Sequence, residues 1–278
     1  KIFITSDSMD AEPVHIRRKG CQFSIGTVIA PKGKRLSVES LVALCEDGVE
    51  RIWVARRPLV QVLCTGTELV SPGQLPGRGE KVSSNGILLS TLLKQSGAIC
   101  SMGAPVADDP EVLCRAIREA INSGPDMIIT TGGMGPGKYD FLERAFVSLG
   151  GEIHYNRLLM RPGKATLFGM LGKTAVFALP GPPPAVRLLY HTLVSTALEV
   201  LSGNATPEPI LATAKLDEDI EVKRTGHLNL KTGWVFFTDG QLLVRQVSGI
   251  ESMNAILHCP GDRALNKVGD SVSVHLLF

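Results

Sequence analysis

The sequence predicts an α/β fold. Between residues 58 and 204, short apolar runs alternate with helical patterns, which is typical of a mostly parallel sheet with helices on both faces. Beyond residue 204, short runs such as WVFFTDGQLLVRQV alternate around Asp-Gly turns and indicate a small all-β domain. We therefore predict a small α+β segment at residues 1–57, a three-layer αβα domain at 58–204 and a β domain at 205–278.

Composition narrows the classes of function. A net charge of +2, with only three tyrosines and two tryptophans, argues against a nucleic-acid partner. No apolar run approaches the roughly 18 residues of a membrane helix, and the chain starts without a signal-peptide pattern. Six scattered cysteines without a C-x-x-C pair favour reduced thiols. We expect a cytoplasmic protein without a membrane partner, and because Lys1 is not an initiator methionine, we expect the sequence to begin inside a longer protein.

The first 57 residues carry weak structural signals. Residues 27–29 and 35–36 flank a Pro-Lys-Gly turn, which predicts a short hairpin. Ser37 is placed to cap an amphipathic helix that Gly48 ends, and a strand is predicted from Val49 to Val54. So short a segment has little core of its own, so we expect it to depend on a neighbouring domain or a partner subunit.

The central domain shows its elements in order. Leu59 to Cys64 is an almost uninterrupted apolar strand, as expected for a buried parallel strand. Serine at position 83 or 84 begins the next helix, and Asp108-Asp109-Pro110 begins another, with Asp at the cap and Pro in the first turn. The other predicted strands run from Ile99 to Val106, from Met127 into a glycine loop, from Ala165 to Met170 and from Ala175 to Leu179, and a long helix covers residues 185–201.

A glycine-rich loop lies at the centre of this domain. In DMIITTGGMGPGKYDF, residues 126–141, an apolar run leads through two threonines into four glycines and a helix start. Glycine lets backbone amides approach a ligand and a helix N-terminus adds positive charge, so the loop suits an oxyanion. The loop does not fit G-x-G-x-x-G; it fits G-x-x-x-x-G-K, but Tyr139 replaces the magnesium-binding Ser or Thr and Pro136 removes an amide. The alternative is a βα turn without a ligand.

Loops at the carboxyl ends of the predicted strands form the candidate site, because ligands of open α/β sheets bind beyond those ends. Glycine amides with Lys138 and Lys164 can hold phosphate, while Glu68, Asp108 and Asp140 can hold a divalent cation or manage protons. Simpler roles stay open, with Asp108 as a helix N-cap and Asp140 as a charge that favours the helix dipole. Glu68 is the strongest candidate for a functional carboxylate, because it follows a strand that is predicted to be buried.

Six loops, read in chain order, form a specific pattern. They are TGTEL, SSN, DDP, TTGGMGPGKYDF, RPGKA and LPGPP. This pattern resembles TG(D/N)EL, DSN, D-(D/N)-P, SGG-V-S-x-G-(D/E)-x-D, KPGKP and LPGNP of the MoeA/gephyrin family of molybdenum cofactor biosynthesis. The stretches at residues 16–57 and 205–278 are also similar to that family, so the resemblance covers nearly the whole chain.

The resemblance implies a function and a set of site residues. Family members insert molybdate into adenylated molybdopterin with a divalent cation, expected to be Mg²⁺, and release AMP. By resemblance, Glu68, Asp108 and Asp140 are the catalytic and metal-binding residues. The residues assigned to molybdopterin or its adenylate are Thr65, Gly66, Thr67, Ser84, Asn85, Thr131, Gly132, Gly133, Gly135, Gly137, Lys138, Arg161, Lys164, Pro180 and Gly181. The family also implies a homodimer, and an N-terminal portion with at least one active-site Asp that would precede Lys1.

The chain departs from the family pattern at several loop positions. Gln22 and Lys138 stand where the family has acidic residues, Ser83 replaces the Asp of DSN, and Pro182 replaces the Asn of LPGNP. The pocket is therefore less acidic, which weakens binding of a divalent cation and favours anions. Three hypotheses stay open: a divergent molybdopterin molybdenumtransferase, a non-catalytic molybdopterin-binding module, and a scaffold that has lost its ligand.

Overall fold

The computed structural model describes residues 17–133, 141–222 and 226–277. The chain divides into two compact units, Lys1–Trp53 and Val54–Phe278. In the described part of the chain, no helix is long and apolar enough to cross a membrane. All six cysteines are free thiols.

The described part of the first unit contains one helix and no strand. α1 (Val38–Glu46) begins at Ser37, whose hydroxyl accepts from the Ser40 backbone N–H, and it is followed by Gly48 at a φ of +77°. These observations confirm the predicted start and end of the helix. The predicted hairpin and the strand from Val49 to Val54 are wrong, because both stretches are irregular and neither has a neighbouring strand to pair with among the described residues.

The apolar face of α1 stays largely exposed. The exposed fractions are 72% for Val38, 50% for Leu41 and 51% for Val42, whereas Ala43 is buried. This unit therefore has little core among its described residues, as its length predicts.

The second unit carries the remaining elements. Its helices are α2 (Asn85–Gln95), α3 (Pro110–Asn122), α4 (Phe141–Ser148), α5 (Pro183–Leu189) and α6 (Ser195–Leu201). Its strands are β1 (Leu59–Cys64), β2 (Leu69–Val70), β3 (Lys81–Val82), β4 (Ile99–Met102), β5 (Met127–Thr131), β6 (Glu152–Tyr155), β7 (Met160–Arg161), β8 (Leu167–Leu171), β9 (Thr174–Leu179), β10 (Ile210–Leu216), β11 (Ile220–Glu221), β12 (Leu228–Thr238), β13 (Gln241–Gln246), β14 (Ala255–Cys259), β15 (Leu265–Asn266) and β16 (Ser271–Leu276).

The main sheet has the strand order β4-β1-β5-β9-β8-β6. The pairs β4–β1, β1–β5 and β5–β9 are parallel, whereas β9–β8 and β8–β6 are antiparallel. Every residue of β5 and β9 is buried, which explains why both strands read as apolar runs. The carboxyl ends of the parallel strands β1, β5 and β9 therefore meet at one edge of the sheet.

Helices cover both faces of this sheet, because side chains alternate between the faces along each strand. On one face, Met127 and Ile129 pack in a core with Leu89 of α2 and Leu189 of α5. On the other face, Ile128 belongs to a core formed with α3 and α4. The predicted α/β fold is confirmed. The long closing helix is continuous from α5 through a π-helical turn, Tyr190–Val194, into α6.

The C-terminal strands close into a barrel. The order is β13-β10-β16-β14-β12, and an additional pairing of β12 with β13 completes the ring. β12 and β13 are joined at Asp239 and Gly240, which have φ angles of +47° and +75°, as the Asp-Gly pattern predicts for a hairpin turn. β7 also pairs with β12, placing Arg161 opposite Asn229. The loop around Arg161 is therefore tied directly to the barrel.

Candidate functional site

The loop after β1 packs against the loop after β5. The Thr65 backbone N–H and Oγ1 both donate to the Thr131 carbonyl oxygen, at 2.8 and 3.2 Å. Gly132 has a φ of +95°, and a Cβ there would overlap the Thr65 carbonyl oxygen. At Gly133, with a φ of +67°, a Cβ would lie 3.2 Å from Thr65 Oγ1. Both positions therefore require glycine for conformation and for close approach.

Asp108 faces the loop after β1 and is not a helix cap. Its Oδ2 accepts from the Thr67 backbone N–H at 3.4 Å, and its own N–H donates to Thr67 Oγ1 at 3.1 Å. The cap of α3 is Asp109, whose Oδ1 accepts from the N–H groups of Glu111 and Val112 at 2.9 and 3.0 Å. The N-cap interpretation of Asp108 is therefore wrong, and its carboxylate is at the site edge.

The start of α2 joins the same cluster of loops. Asn85 is buried, and its Nδ2 donates to the Gly181 carbonyl oxygen at 2.8 Å. Asn85 Oδ1 is buried without a hydrogen-bond partner. A Cβ on Gly181 would lie 3.9 Å from the Cα of Gly132, so this contact links α2 to the glycine loop. A buried, unpaired amide oxygen is an acceptor that a ligand donor can satisfy.

At the neighbouring loop positions, the residues make backbone contacts or stand at helix starts. Ser84 occupies the N-cap position of α2 without a side-chain cap hydrogen bond. Ser83 is buried, and its N–H donates to the Val70 carbonyl oxygen. Pro180 is half-buried after β9, and Pro182 precedes α5 at its N-cap position. Gln22 lies in the first unit, where its side chain donates to Glu46 at 3.3 Å.

Glu68 forms an ion pair with Lys81. Glu68 Oε1 lies 2.8 Å from Lys81 Nζ, with both side chains partly exposed. The Lys81 backbone N–H also donates to the Glu68 carbonyl oxygen at 2.9 Å. The hydrogen bond from Lys81 holds the pKa of the Glu68 carboxyl below its usual range, so this group is ionised at neutral pH. Sequence reasoning missed Lys81 because nothing in the local pattern marks β2 and β3 as partners.

The described residues do not form the expected Mg²⁺ site. Among them, no group of three or more His, Cys, Asp or Glu side chains is arranged to hold a metal ion. Glu68 is paired with Lys81, and Asp108 accepts from a backbone N–H. Asp140, with Gly135, Gly137 and Lys138, lies outside the described residues. Glu68 and Asp108 alone offer too few free oxygens for a hard divalent cation.

Arg161 and Lys164 line a separate pocket of about 220 Å³. Its other lining residues are Met160, Gly163 and His227. Gly163 has a φ of +117°, and a Cβ there would lie 2.7 Å from Leu189 Cδ2 of α5. The pocket therefore lies against the helix that follows Pro180 and Gly181, the last loop of the sheet edge.

The barrel contributes His227 to this pocket. His227 Nδ1 is buried and has no hydrogen-bond partner. The His227 carbonyl oxygen accepts from Asn229 Nδ2 at 2.8 Å, and a Cβ on Gly261 would lie 2.6 Å from the His227 backbone nitrogen. These contacts fix the backbone of His227 beside the pocket. No sequence signal identified this residue, because its position depends on how the barrel meets the α/β domain.

Residues 61–200, about half of the chain, match the family described as a probable molybdopterin binding domain. The chain belongs to this family. It is 28% identical over 271 residues to a molybdopterin molybdenumtransferase from Nostoc sp., covering 95% of this chain and 61% of the relative. A molybdopterin molybdenumtransferase from Bacillus subtilis is 27% identical over 271 residues, covering 95% of this chain and 63% of the relative.

A solved structure shows the same fold. The molybdopterin biosynthesis MoeA protein from Pyrococcus horikosii superposes with a TM-score of 0.78 at 24% identity, covering 94% of this chain and 64% of that chain. The loop resemblance to the MoeA/gephyrin family is thus confirmed. The chain spans less than two thirds of the length of these relatives.

Proposed function

We propose that this chain acts in molybdenum cofactor biosynthesis by binding molybdopterin or its adenylate and inserting molybdate, with release of AMP. The observation that carries the proposal is the convergence of four loops at the carboxyl edge of the sheet. Close backbone contacts join Thr65, Gly132 and Gly181 there, and Asp108 is hydrogen-bonded to Thr67 of the same loop as Thr65. Ligands of open α/β sheets bind at this edge.

The charge of the site matches the chemistry of the proposed substrates. Molybdopterin carries a phosphate group, and molybdate is an oxyanion. Gly132 and Gly133, at positive φ and packed against Thr65, hold the start of the glycine loop at the sheet edge, where the phosphate would approach. Arg161 and Lys164 line a pocket that suits a second oxyanion. We propose that the edge holds the pterin phosphate and that the pocket holds molybdate.

Three polar groups of the edge have a proposed task in this reaction. Glu68 is ionised at neutral pH, so its carboxylate can accept a proton from a water molecule that attacks the adenylate phosphorus while the bond to the pterin phosphate oxygen breaks and AMP leaves. The hydrogen bond from Lys81 lowers the pKa of Glu68 and makes it a weaker base than an ordinary Glu. Asp108 fixes the Thr67 backbone through their reciprocal hydrogen bonds. Asn85 Oδ1 can accept a hydrogen bond from a pterin N–H, since it has no partner within the protein.

A second candidate is a non-catalytic molybdopterin-binding module. The observation that favours it is the ion pair between Glu68 and Lys81, which leaves the described part of the site without a free carboxylate cluster. Such a module would bind the same ligand at the same edge without releasing AMP.

The homodimer, the domain boundaries and the cellular location are also proposals. The half-exposed apolar side chains of α1 support a homodimer, because an apolar face of that kind is normally covered by another surface. We keep the three-part layout at residues 1–57, 58–204 and 205–278 and a cytoplasmic location, which the free thiols support.

The test is a measurement of AMP release. Purified protein is mixed with molybdopterin adenylate, molybdate and Mg²⁺, and AMP is quantified over time. We expect release, and we expect Glu68→Gln to slow it at least ~100-fold if the carboxylate takes part in proton transfer. Glu119→Gln on the exposed surface of α3 is the matched control and is expected to keep the wild-type rate.

The possible outcomes separate the two candidates. Tight binding of molybdopterin adenylate without AMP release supports the binding module and contradicts the transferase. Neither binding nor release contradicts both candidates and leaves a scaffold that has lost its ligand.

A further inference from the structure

We propose that Lys81 is a specificity-determining residue that keeps divalent cations away from Glu68. Its ammonium group lies 2.8 Å from Glu68 Oε1, where it competes with a metal ion for that carboxylate oxygen. The meaning of this inference for catalysis rests on the proposed function, because Glu68 lies at the edge assigned to the pterin. The pairing of Lys81 with Glu68 does not depend on that assignment.

The backbone holds Lys81 in place beside Glu68. β2 and β3 pair in parallel with Leu69 opposite Lys81. The Lys81 N–H donates to the Glu68 carbonyl oxygen at 2.9 Å, and the Ser83 N–H continues the ladder by donating to Val70 at 2.9 Å. The ion pair therefore joins two residues whose main chains are already linked.

Charge at this corner works against a metal ion. Mg²⁺ needs carboxylate oxygens and is bound poorly where a fixed ammonium group competes for them. Asp108, the other described acid of the predicted set, already accepts a hydrogen bond from Thr67. Because the Lys81 and Glu68 side chains are 65% and 41% exposed, solvent screens the pair. The effect on cation affinity is therefore about tenfold rather than absolute.

The test measures metal binding without any substrate. Mn²⁺ binding to the full chain is followed by electron paramagnetic resonance of the free ion, and Mg²⁺ competition gives its affinity. We expect Lys81→Met to bind Mn²⁺ about ten times more tightly than the wild type. Lys81→Arg retains the positive charge and is expected to match the wild type. Adding Glu68→Gln to Lys81→Met should abolish the gain.

A matched control removes a lysine far from the site. Lys173 lies in the exposed turn between β8 and β9, at the end of β9 opposite its carboxyl edge. Lys173→Met changes the net charge by the same amount and is expected to leave Mn²⁺ affinity unchanged. Equal affinities of the wild type, Lys81→Met and Lys173→Met, with unchanged melting temperatures, would overturn the inference.

The metal titration tests the inference about Lys81, and the AMP assay tests the transferase, so one can give a negative result without the other. If Lys81→Met gains Mn²⁺ affinity while the wild type releases no AMP, the inference about Lys81 stands and the transferase is contradicted. If the wild type releases AMP while Lys81→Met gains no affinity, the transferase stands and the inference is overturned.

Discussion

Two parts of the proposed site handle charge in opposite ways. At the corner formed by β2 and β3, the Glu68 carboxylate is already paired with Lys81. In the pocket beside β7, Arg161 and Lys164 line the cavity with His227, and no carboxylate is among the lining residues in the part of the chain that the structure describes. The corner therefore has little charge left for a ligand, whereas the pocket retains a surplus of positive charge. This difference favours an oxyanion over a metal ion as the partner of the site.

The two parts also differ in how they are built. The corner depends on a two-residue ladder between segments that are close in sequence. The pocket depends on a long-range contact, because β7 pairs with β12 of the barrel, which places Arg161 opposite Asn229. A change in how the barrel docks should therefore alter the pocket and leave the corner intact.

The largest effect is expected from Gly132→Ala, which adds a methyl group at the carboxyl edge of the main sheet. Gly132→Ala places a Cβ against the Thr65 carbonyl oxygen and 2.9 Å from Thr65 Oγ1, at a φ of +95°. We expect a loss of about 4 kcal/mol in the free energy of unfolding, since both the overlap and the left-handed backbone are unfavourable. Ligand binding should fall below detection. Urea denaturation and titration with molybdopterin measure the two effects.

The control for this substitution is Gly172→Ala, which has an unfavourable positive φ but no steric overlap. Gly172 has a φ of +59°, and a Cβ there would meet nothing within 4 Å. Gly172→Ala is expected to cost about 1 kcal/mol and to leave ligand affinity unchanged. If the two variants lose equal stability, close packing of Gly132 against Thr65 is not what the site requires.

Acid should destabilise the protein at His191, in the π-helical turn of the closing helix. Burial, with repulsion from Arg187 and His275, lowers the pKa of His191 to about 4. His258, which lies edge-on to His275, and His275 itself also have lowered pKa values because of burial. Below pH 6.5 the unfolded chain takes up protons that folded His191 does not, so stability falls as the pH drops from 6.5 towards 4. Between pH 7.5 and 5.0 the loss from His191 is about 2 kcal/mol.

Urea denaturation at the two pH values checks this expectation. His191→Gln has no group to titrate there and is expected to lose about 2 kcal/mol less than the wild type over this range. His154→Gln, which removes an exposed histidine, should behave like the wild type. Equal pH dependence in the wild type and His191→Gln would exclude burial of this imidazole as the cause.

The sequence predicted the parts of the site that depend on local signals. The helix start at Ser37, the helix start within Asp108-Asp109-Pro110, the strand before Thr65 and the glycine loop were identified, because caps, apolar runs and glycine spacing are encoded over a few residues; the pattern did not show that the cap is Asp109 rather than Asp108. The rule that ligands bind beyond parallel strands then brought distant loops together. Contacts between Thr65, Gly132 and Gly181 agree with that expectation.

The missed features depend on pairing between segments. Lys81 lies in a short strand whose sequence has no alternation, so its partner is not predictable from the pattern. His227 reaches the pocket only because the barrel docks through β7. The predicted strand from Val49 to Val54 failed for the same reason, since an apolar run forms a strand only where a partner strand is available.

The smallest expected effect removes one charge from the pocket. Arg161→Met keeps an unbranched apolar stem and removes the guanidinium, so we expect about tenfold weaker binding of molybdate, or ~1.4 kcal/mol, with a smaller dependence on salt. Isothermal titration at low and high ionic strength measures both quantities, and Lys173→Met is again the matched control. Because Glu68 and Lys81 do not line this pocket, Glu68→Gln should leave molybdate affinity unchanged. An equal loss in Arg161→Met and Glu68→Gln would show that the two parts form one charged site rather than two.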